Sequence, residues 1–308
     1  MPMITNAVLN DLRTMSRREF RAGFDGMMPM TFYRDAAMVI PSTTASNTYD
    51  WLGDFPELVE WIGDRAIKGM KEDAYQISNR LFEKTVGIKR THIEDDTLGT
   101  YSVRFQRMGQ AAARHPDIMV AELMKGGHAA LCYDGQNFFD TEHPVFPNHD
   151  GTGVASTWSN YDDNDGDTST PAWYLLDASD AILPFIFQER TKPDLESKEN
   201  SSTSDEVFMK DQYLYGIRYR CNAGYGFPQK AYKSHLPLNG DTLDAAIAAM
   251  MSVKGDGDRP LGITPTRLIV PPALRAAANK TVKVMLGEGG ASNANFEAVD
   301  VRVTSWLA

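Results

Sequence analysis

Cysteine is almost absent from this chain: Cys132 and Cys221 are the only two among 308 residues. Two thiols exclude a disulfide framework, and no CxxC pair offers a redox or zinc motif. Free thiols in a reducing compartment are expected. Long apolar runs are missing too. None approaches the roughly 18 residues that a transmembrane helix needs, and the N-terminus lacks the charged-then-apolar order of a signal peptide. The chain is expected to stay in the cytoplasm of the cell that makes it, away from membranes. Positive charge is short: 31 Lys and Arg against 41 Asp and Glu give a formal charge of -10. A protein that grips nucleic acid through phosphates needs a basic surface. Any contact with DNA is expected to be weak and non-specific.

Catalytic motifs are equally scarce. No GxSxG elbow supports a hydrolase serine. Gly255-Asp256-Gly257-Asp258 and Gly287-Glu288-Gly289-Gly290 lack the Lys-Ser/Thr of a phosphate loop and the spacing of a dinucleotide loop. The run Asp162-Asp163-Asn164-Asp165-Gly166-Asp167 looks like a calcium loop, but its frame fails. With Gly166 at the sixth position, Tyr161 and Ala172 fall at the two ends where carboxylates belong. His143 and His149 sit on a Pro-containing loop, without helical or zinc-site spacing. No catalytic residue, cofactor or metal site is expected. There is no internal repeat.

What is present is a strand pair feeding a long amphipathic helix. Tyr75, Ile77 and Leu81 keep one parity, and Phe82, Val86 and Ile88 the other, which predicts strands with a bend at Leu81–Phe82. Thr91 and Glu94 have capping-box spacing. Leu98, Tyr101, Phe105, Met108 and Ala112 then form one apolar stripe. His115-Pro116 predicts a kink or restart, and Gly126-Gly127 a stop. Before this stretch, residues 1–30 allow one short helix, broken by Gly23, Gly26 and Pro29, which is expected to fray. Residues 49–71 hold Tyr49, Trp51, Phe55, Trp61 and Ile62 among glycines and a proline. That pattern fits an extended excursion, with its aromatics either in a local core or buried on a neighbour.

After the helix, residues 131–171 lack periodicity, as a functional or interfacial segment would. Leu175-Leu176 and Phe185-Ile186-Phe187 read as strands, Lys192–Asp205 as a mobile loop, and Val207-Phe208 and Tyr213–Arg220 as strands. The last third turns α/β. Asp241 or Thr242 caps a helix carrying Leu243, Ile247, Met250 and Met251. Arg267–Val270 is a buried strand, Ala273–Leu286 a helix, and Val299, Val301 and Val303 a last strand.

Several stretches resemble the major head (capsid) subunit family of Mu-like phages and prophages. They are Ser46–Gly53, Phe82–Ile88 leading to Glu94-Asp95-Asp96, Cys132–Asp140, Glu142–Val145, Pro184–Arg190, Gly224–Phe227 and Pro265–Pro271. They span nearly the whole chain in order, and match least in the first thirty residues and at Ser159–Ser169.

The resemblance implies an α+β tailed-phage capsid fold of the Hong Kong 97 type. Its parts map as an N-terminal arm over 1–35 and a peripheral region over 36–130. The latter holds an extended β loop at about 47–82 and a spine helix at about 92–126. A β-rich remainder over 131–240 is shared with an axial domain, whose α/β part is 241–308. The implied function is a structural virion protein that self-assembles into hexamers and pentamers of an icosahedral head around double-stranded DNA. The implied partners are other copies, a scaffold protein, a portal at one vertex and decoration proteins, with assembly in the bacterial cytoplasm. Trp51, Phe55, Trp61, Ile62 and Tyr75 are the candidate inter-subunit contacts. The alternative is an acidic α/β enzyme with an active-site loop in 131–171, centred on His143.

Overall fold

The computed structural model describes residues 6–52, 75–95, 99–148, 151–199, 204–286 and 290–308. The chain opens with helix α1 (Asn6–Met27) and a single turn, α2 (Tyr33–Ala36). Strands β1 (Ala37–Pro41), β2 (Ser46–Tyr49), β3 (Tyr75–Ser78) and β4 (Arg80–Lys89) follow. The short α3 (Arg90–Glu94) leads to the long α4 (Thr100–Gly126). Next come β5 (His143–Val145), β6 (Ser156–Trp158), β7 (Tyr161–Asp162) and β8 (Trp173–Leu176). The long strands β9 (Phe185–Lys198) and β10 (Gln212–Tyr225) flank α5 (Asp205–Lys210). The chain then runs through β11 (Ala231–Ser234), α6 (Gly240–Met251), β12 (Lys254–Gly255), β13 (Arg259–Pro260), β14 (Arg267–Val270), α7 (Arg275–Val282) and β15 (Asp300–Val303).

Two sheets organise these elements. One has the order β1-β9-β10-β4, the other β15-β14-β8-β11-β7. In β10, Tyr213, Tyr215, Ile217, Tyr219 and Cys221 are all buried, the period-2 pattern of a strand with one covered face. Its pairing with β9 shifts register between Arg218 and Cys221, as at a bulge. Of the loop expected over Lys192–Asp205, Lys192–Lys198 is strand, and residues 200–203 lie outside the described residues. Leu195 gives β9 a buried residue on the core face, and β10 pairs with it as far as Lys198. Val207-Phe208 is helical, in α5, instead of extended.

The helices correct three further expectations. α1 does not break at Gly23 or fray from the body; it packs along α4. Gly23 faces the Gln106 backbone and Gly109 faces the Phe20 backbone, each too closely for a Cβ. Glycine here permits contact between helices, and Leu12 and Phe20 are buried with Phe105 and Met108. Pro116 lies inside α4 without ending it. A helix-interior proline costs about 3 kcal/mol, which burial of Ala112, Ala113, Pro116, Met119 and Val120 offsets. Thr91 caps nothing, because α3 already starts at Arg90 after Lys89. The apolar stripe itself is as expected: Tyr101, Phe105, Met108 and Ala112 are buried, while Leu98 lies outside the described residues. The break between β3 and β4 falls at Asn79, and Leu81 is exposed.

In the C-terminal third the helix cap is Asn239, not Asp241. Its side chain accepts from the Thr242 N–H, and the Thr242 hydroxyl accepts from the Asn239 N–H, a reciprocal capping box. The second helix there is shorter than the sequence suggests, ending at Val282, with Met285 and Leu286 exposed.

Apolar side chains gather in four clusters. One lies between α1, α4 and the long strands, one around Phe138, Phe139 and Phe185, one in the C-terminal region, and a small one around Tyr49, Ile77 and Phe227. Asp35 of α2 ties these regions together. It pairs with Arg267 of β14 and, at 3.3 Å, with Arg302 of β15. Arg302 also donates to the Thr31 carbonyl at 3.0 Å.

Candidate assembly surface

The excursion after Tyr49 leaves the body from a rigid root. β2 and β3 pair antiparallel, from Ser46 opposite Ser78 to Tyr49 opposite Tyr75, so both ends of the intervening chain are fixed side by side. The buried Tyr49 hydroxyl donates to Gln188 Oε1 of β9 at 2.8 Å. Burial pushes that hydroxyl's pKa up to about 12, so it stays a donor at neutral pH. Gln188 Nε2 in turn donates to the Ile77 carbonyl at 3.2 Å.

The sequence-predicted contact residues fall into three groups. Trp51 stands at the root with 37% of its surface exposed, one side against Phe227 at 5.6 Å and Tyr49 at 5.9 Å. Tyr75 is half-buried, and its hydroxyl accepts from the Tyr225 N–H at 3.2 Å within the same chain. Phe55, Trp61 and Ile62 lie outside the described residues. Sequence reasoning missed a second exposed apolar site. Phe208 and Met209 of α5 are 73% and 77% exposed at the end of the long strand pair. Two adjacent exposed apolar side chains make this a candidate contact point. The signal in the sequence is Val207-Phe208-Met209 beside a charged segment, a pattern that also fits a strand.

His143, centre of the enzymatic alternative, is fully buried. Its Nδ1 lies 2.7 Å from Asp134 Oδ2, and its Nε2 3.2 Å from Asn160 Oδ1. The Asn160 amide is oriented by its other bonds: Nδ2 donates to the carbonyls of Phe138 and Pro228, and Oδ1 accepts from the Asp140 N–H. His143 Nε2 must therefore donate. Trp158 stacks on the ring at 4.5 Å. The buried Cys132 thiol donates to Asp134 Oδ1 at 3.0 Å. Burial, with the Asp134 charge beside it, pushes that thiol's pKa up, which leaves it protonated and unreactive. Burial alone would raise the Asp134 carboxyl, but hydrogen bonds from His143 and Cys132 hold it below its ordinary range. Cys132, Asp134 and His143 bring three metal-capable atoms within 4.8 Å of one another. Each of those atoms already serves a hydrogen bond inside the cluster. The arrangement pins β5 to the Cys132–Asp140 turn.

Comparison with known proteins bears on this reading of a scaffold. The Mu-like prophage major head subunit gpT family matches residues 9–307. The chain belongs to that family. It is 44% identical over 294 residues to the major capsid protein of Escherichia phage Mu, covering 95% of each chain. In structure it is similar to the subunit in the procapsid of bacteriophage JBD30, with a TM-score of 0.86 and 51% identity over 98% of this chain and 100% of that one. The JBD30 capsid decorated with minor capsid protein trimers gives a TM-score of 0.73 at 39% identity, over 91% of each chain. This head subunit is a structural phage protein with the Hong Kong 97 type fold.

Proposed function

We propose that this chain assembles into hexamers and pentamers that close an icosahedral phage head around double-stranded DNA, and that it has no catalytic role. One observation carries the reading. The likeness runs through almost the full length of subunits taken from assembled heads, so little of the chain is left over for another task. In this reading residues 1–35 form the arm, 47–82 the extended loop within a peripheral region of 36–130, and 241–308 the α/β part of the axial domain. Residues 131–240 are shared between the two. Trp51, Phe55, Trp61, Ile62 and Tyr75 carry contacts between copies, with Trp51 offering the more exposed ring of the two described. A scaffold protein, a portal and decoration proteins complete the partners, and assembly takes place in the bacterial cytoplasm. An acidic subunit suits DNA that must slide in and leave.

The test is negative-stain electron microscopy of the chain expressed alone and with its neighbouring phage genes. Closed shells or capsomer rings are expected. Replacing Trp51 and Trp61 together by alanine is expected to abolish shells while the soluble subunit stays folded. Normal particles from that variant would remove the case for the loop as an assembly contact. Particles that form without this chain would overturn the function.

A further inference from the structure

We propose that Cys132, Asp134 and His143 form a binding site for one thiophilic divalent cation, with zinc the best fit. The assembly reading neither requires nor supplies this ion. Cys132 and Asp134 lie on one turn, which the Cys132 N–H closes by donating to the Gln136 carbonyl at 2.8 Å. His143 arrives from β5. The three side chains bring a sulfur, a carboxylate oxygen and a ring nitrogen within 4.8 Å of one another.

The facing atoms need positive charge between them. His143 Nε2 is committed as a donor, because Asn160 Oδ1 faces it as an acceptor. A neutral ring therefore presents its lone pair at Nδ1. That lone pair meets Asp134 Oδ2, also an acceptor, at 2.7 Å. Two acceptors repel at this distance unless a proton or a cation lies between them. Cys132 Sγ meets the other carboxylate oxygen at 3.0 Å. One proton on Nδ1 and one on Sγ satisfy both contacts. A single divalent cation satisfies them too, at the same total charge. A thiol, an imidazolium and a carboxylate sum to -1 + 1, and so do a thiolate, a neutral imidazole, a carboxylate and the ion, at -2 + 2. On binding, the ion takes the place of two protons, which leave to solvent. The exchange buries no net charge, so it avoids the desolvation cost of an unpaired buried ion.

Ligand type selects the metal. One thiolate, one imidazole and one carboxylate suit zinc, whereas calcium and magnesium take oxygen ligands. The surroundings match the outer shell of a metal site, where the second ring nitrogen of a ligating histidine donates to a fixed acceptor. Asn160 plays that part, held by its own bonds to the Phe138 and Pro228 carbonyls. The Gln136 N–H orients the carboxylate by donating to Asp134 Oδ1 at 3.0 Å. Zinc bonds of about 2.0–2.3 Å require the hydrogen-bonded pairs to open by about half an ångström. The Asp134 side chain is 13% exposed and that of His143 is fully buried, so the ion enters, and a water completes its shell, from the Asp134 side. Bound there, it clamps β5 to the Cys132–Asp140 turn. The acidic run Asp162–Asp167 is the competing cation site. It offers only oxygens, and its carboxylates serve its own turn: Asp162 accepts from the Asn164 N–H at 2.9 Å and Asp167 from the Ser169 N–H at 3.1 Å.

Cobalt(II) is the probe, because a thiolate bond to it gives a charge-transfer band in the near ultraviolet. The soluble subunit is stripped with EDTA, desalted and titrated with Co2+. One equivalent is expected to saturate the band, and Zn2+ to displace it. Cys132→Ser is expected to abolish the band, whereas Cys221→Ser and the pair Asp162→Asn with Asp163→Asn are expected to keep it. In thermal melting, Zn2+ is expected to raise the midpoint of the stripped wild type and to leave that of Cys132→Ser unchanged. Asp134→Asn, which keeps the size of the side chain, is expected to lose the heat of Zn2+ binding in calorimetry. A wild type with no band, a wild-type midpoint that Zn2+ does not move, or a band that survives in Cys132→Ser would overturn the proposal. Binding lost only from the Asp162→Asn and Asp163→Asn pair would place the cation on the acidic turn and overturn it as well.

Discussion

Gly109 of α4 lies against the carbonyl oxygen of Phe20 in α1 with no space for a methyl group between them. Backbone therefore touches backbone where the two helices meet. Gly109→Ala sets two effects against each other. Alanine favours the helix by about 1 kcal/mol, whereas overpacking costs about 1–3 kcal/mol and the obstacle here is main chain that cannot rotate away. Destabilisation of the soluble subunit by about 1–2 kcal/mol is expected from urea titration. Gly26 of α1 has open space at the same position, so Gly26→Ala is expected to be neutral or mildly stabilising. Equal effects from the two substitutions would contradict the contact.

Asp117 caps a helix that is not its own. Its Oδ1 accepts from the N–H groups of Phe32 and Tyr33, at 3.0 and 2.9 Å, at the start of α2. Asp117→Ala leaves two buried donors unanswered, at about 1–3 kcal/mol. Asp117→Asn keeps an acceptor and is expected to lose less. Thermal melting of the two variants should rank them in that order.

Lys233 gives a pH signature. Its amine is buried over Phe139, Tyr161 and Tyr174, with Nζ 5.4–6.0 Å from their centroids. It donates to the Lys125 carbonyl at the end of α4 and faces His128 Nδ1, both at 3.1 Å. Burial lowers its pKa to about 8, whereas the unfolded chain holds that proton to about 10.4. Between those values the unfolded state binds more protons, so this group makes stability rise with pH, by at most about 1.4 kcal/mol per unit. The three rings favour the cation and reduce that slope. Lys233→Met is expected to flatten the rise between pH 8 and 10 in urea midpoints. An unchanged slope would assign the rise to groups other than Lys233.

His143 separates a scaffold from an active site. His143→Ala removes the partner of the Asp134 carboxylate, and breaking a buried pair costs about 3–5 kcal/mol. Loss of soluble subunit and a lowered melting temperature are expected. Asn160→Ala is expected to act in the same direction, since it frees both the ring and two carbonyls. A variant that melted like the wild type would argue that the network is not structural.

Elements with a clean period were legible in advance. The stripe Tyr101, Phe105, Met108 and Ala112 defines the buried face of α4, and Arg267–Val270 is the strand it was read to be. What failed were residues whose usual meaning is local. Gly23 and Pro116 signal helix breaks in an isolated chain, but here tertiary packing overrides them. Charged Lys192–Lys198 reads as loop because only Leu195 faces the core, and the pairing with β10 that orders it is invisible in one strand's sequence. The His143 network was hidden for the same reason. Asp134, His143 and Asn160 are separated by loops, and only the fold brings them together.

The two cysteines have a consequence for durability. Cys132 is buried beside Asp134, and Cys221 lies fully buried 3.9 Å from the Met119 sulfur. On a phage particle exposed to air, an exposed thiol would oxidise or cross-link at random. Both thiols of this subunit are shielded by the core, and burial raises their pKa values, which suppresses the reactive thiolate. Neither thiol therefore gives air an easy route to alter the covalent structure of the subunit as it ages.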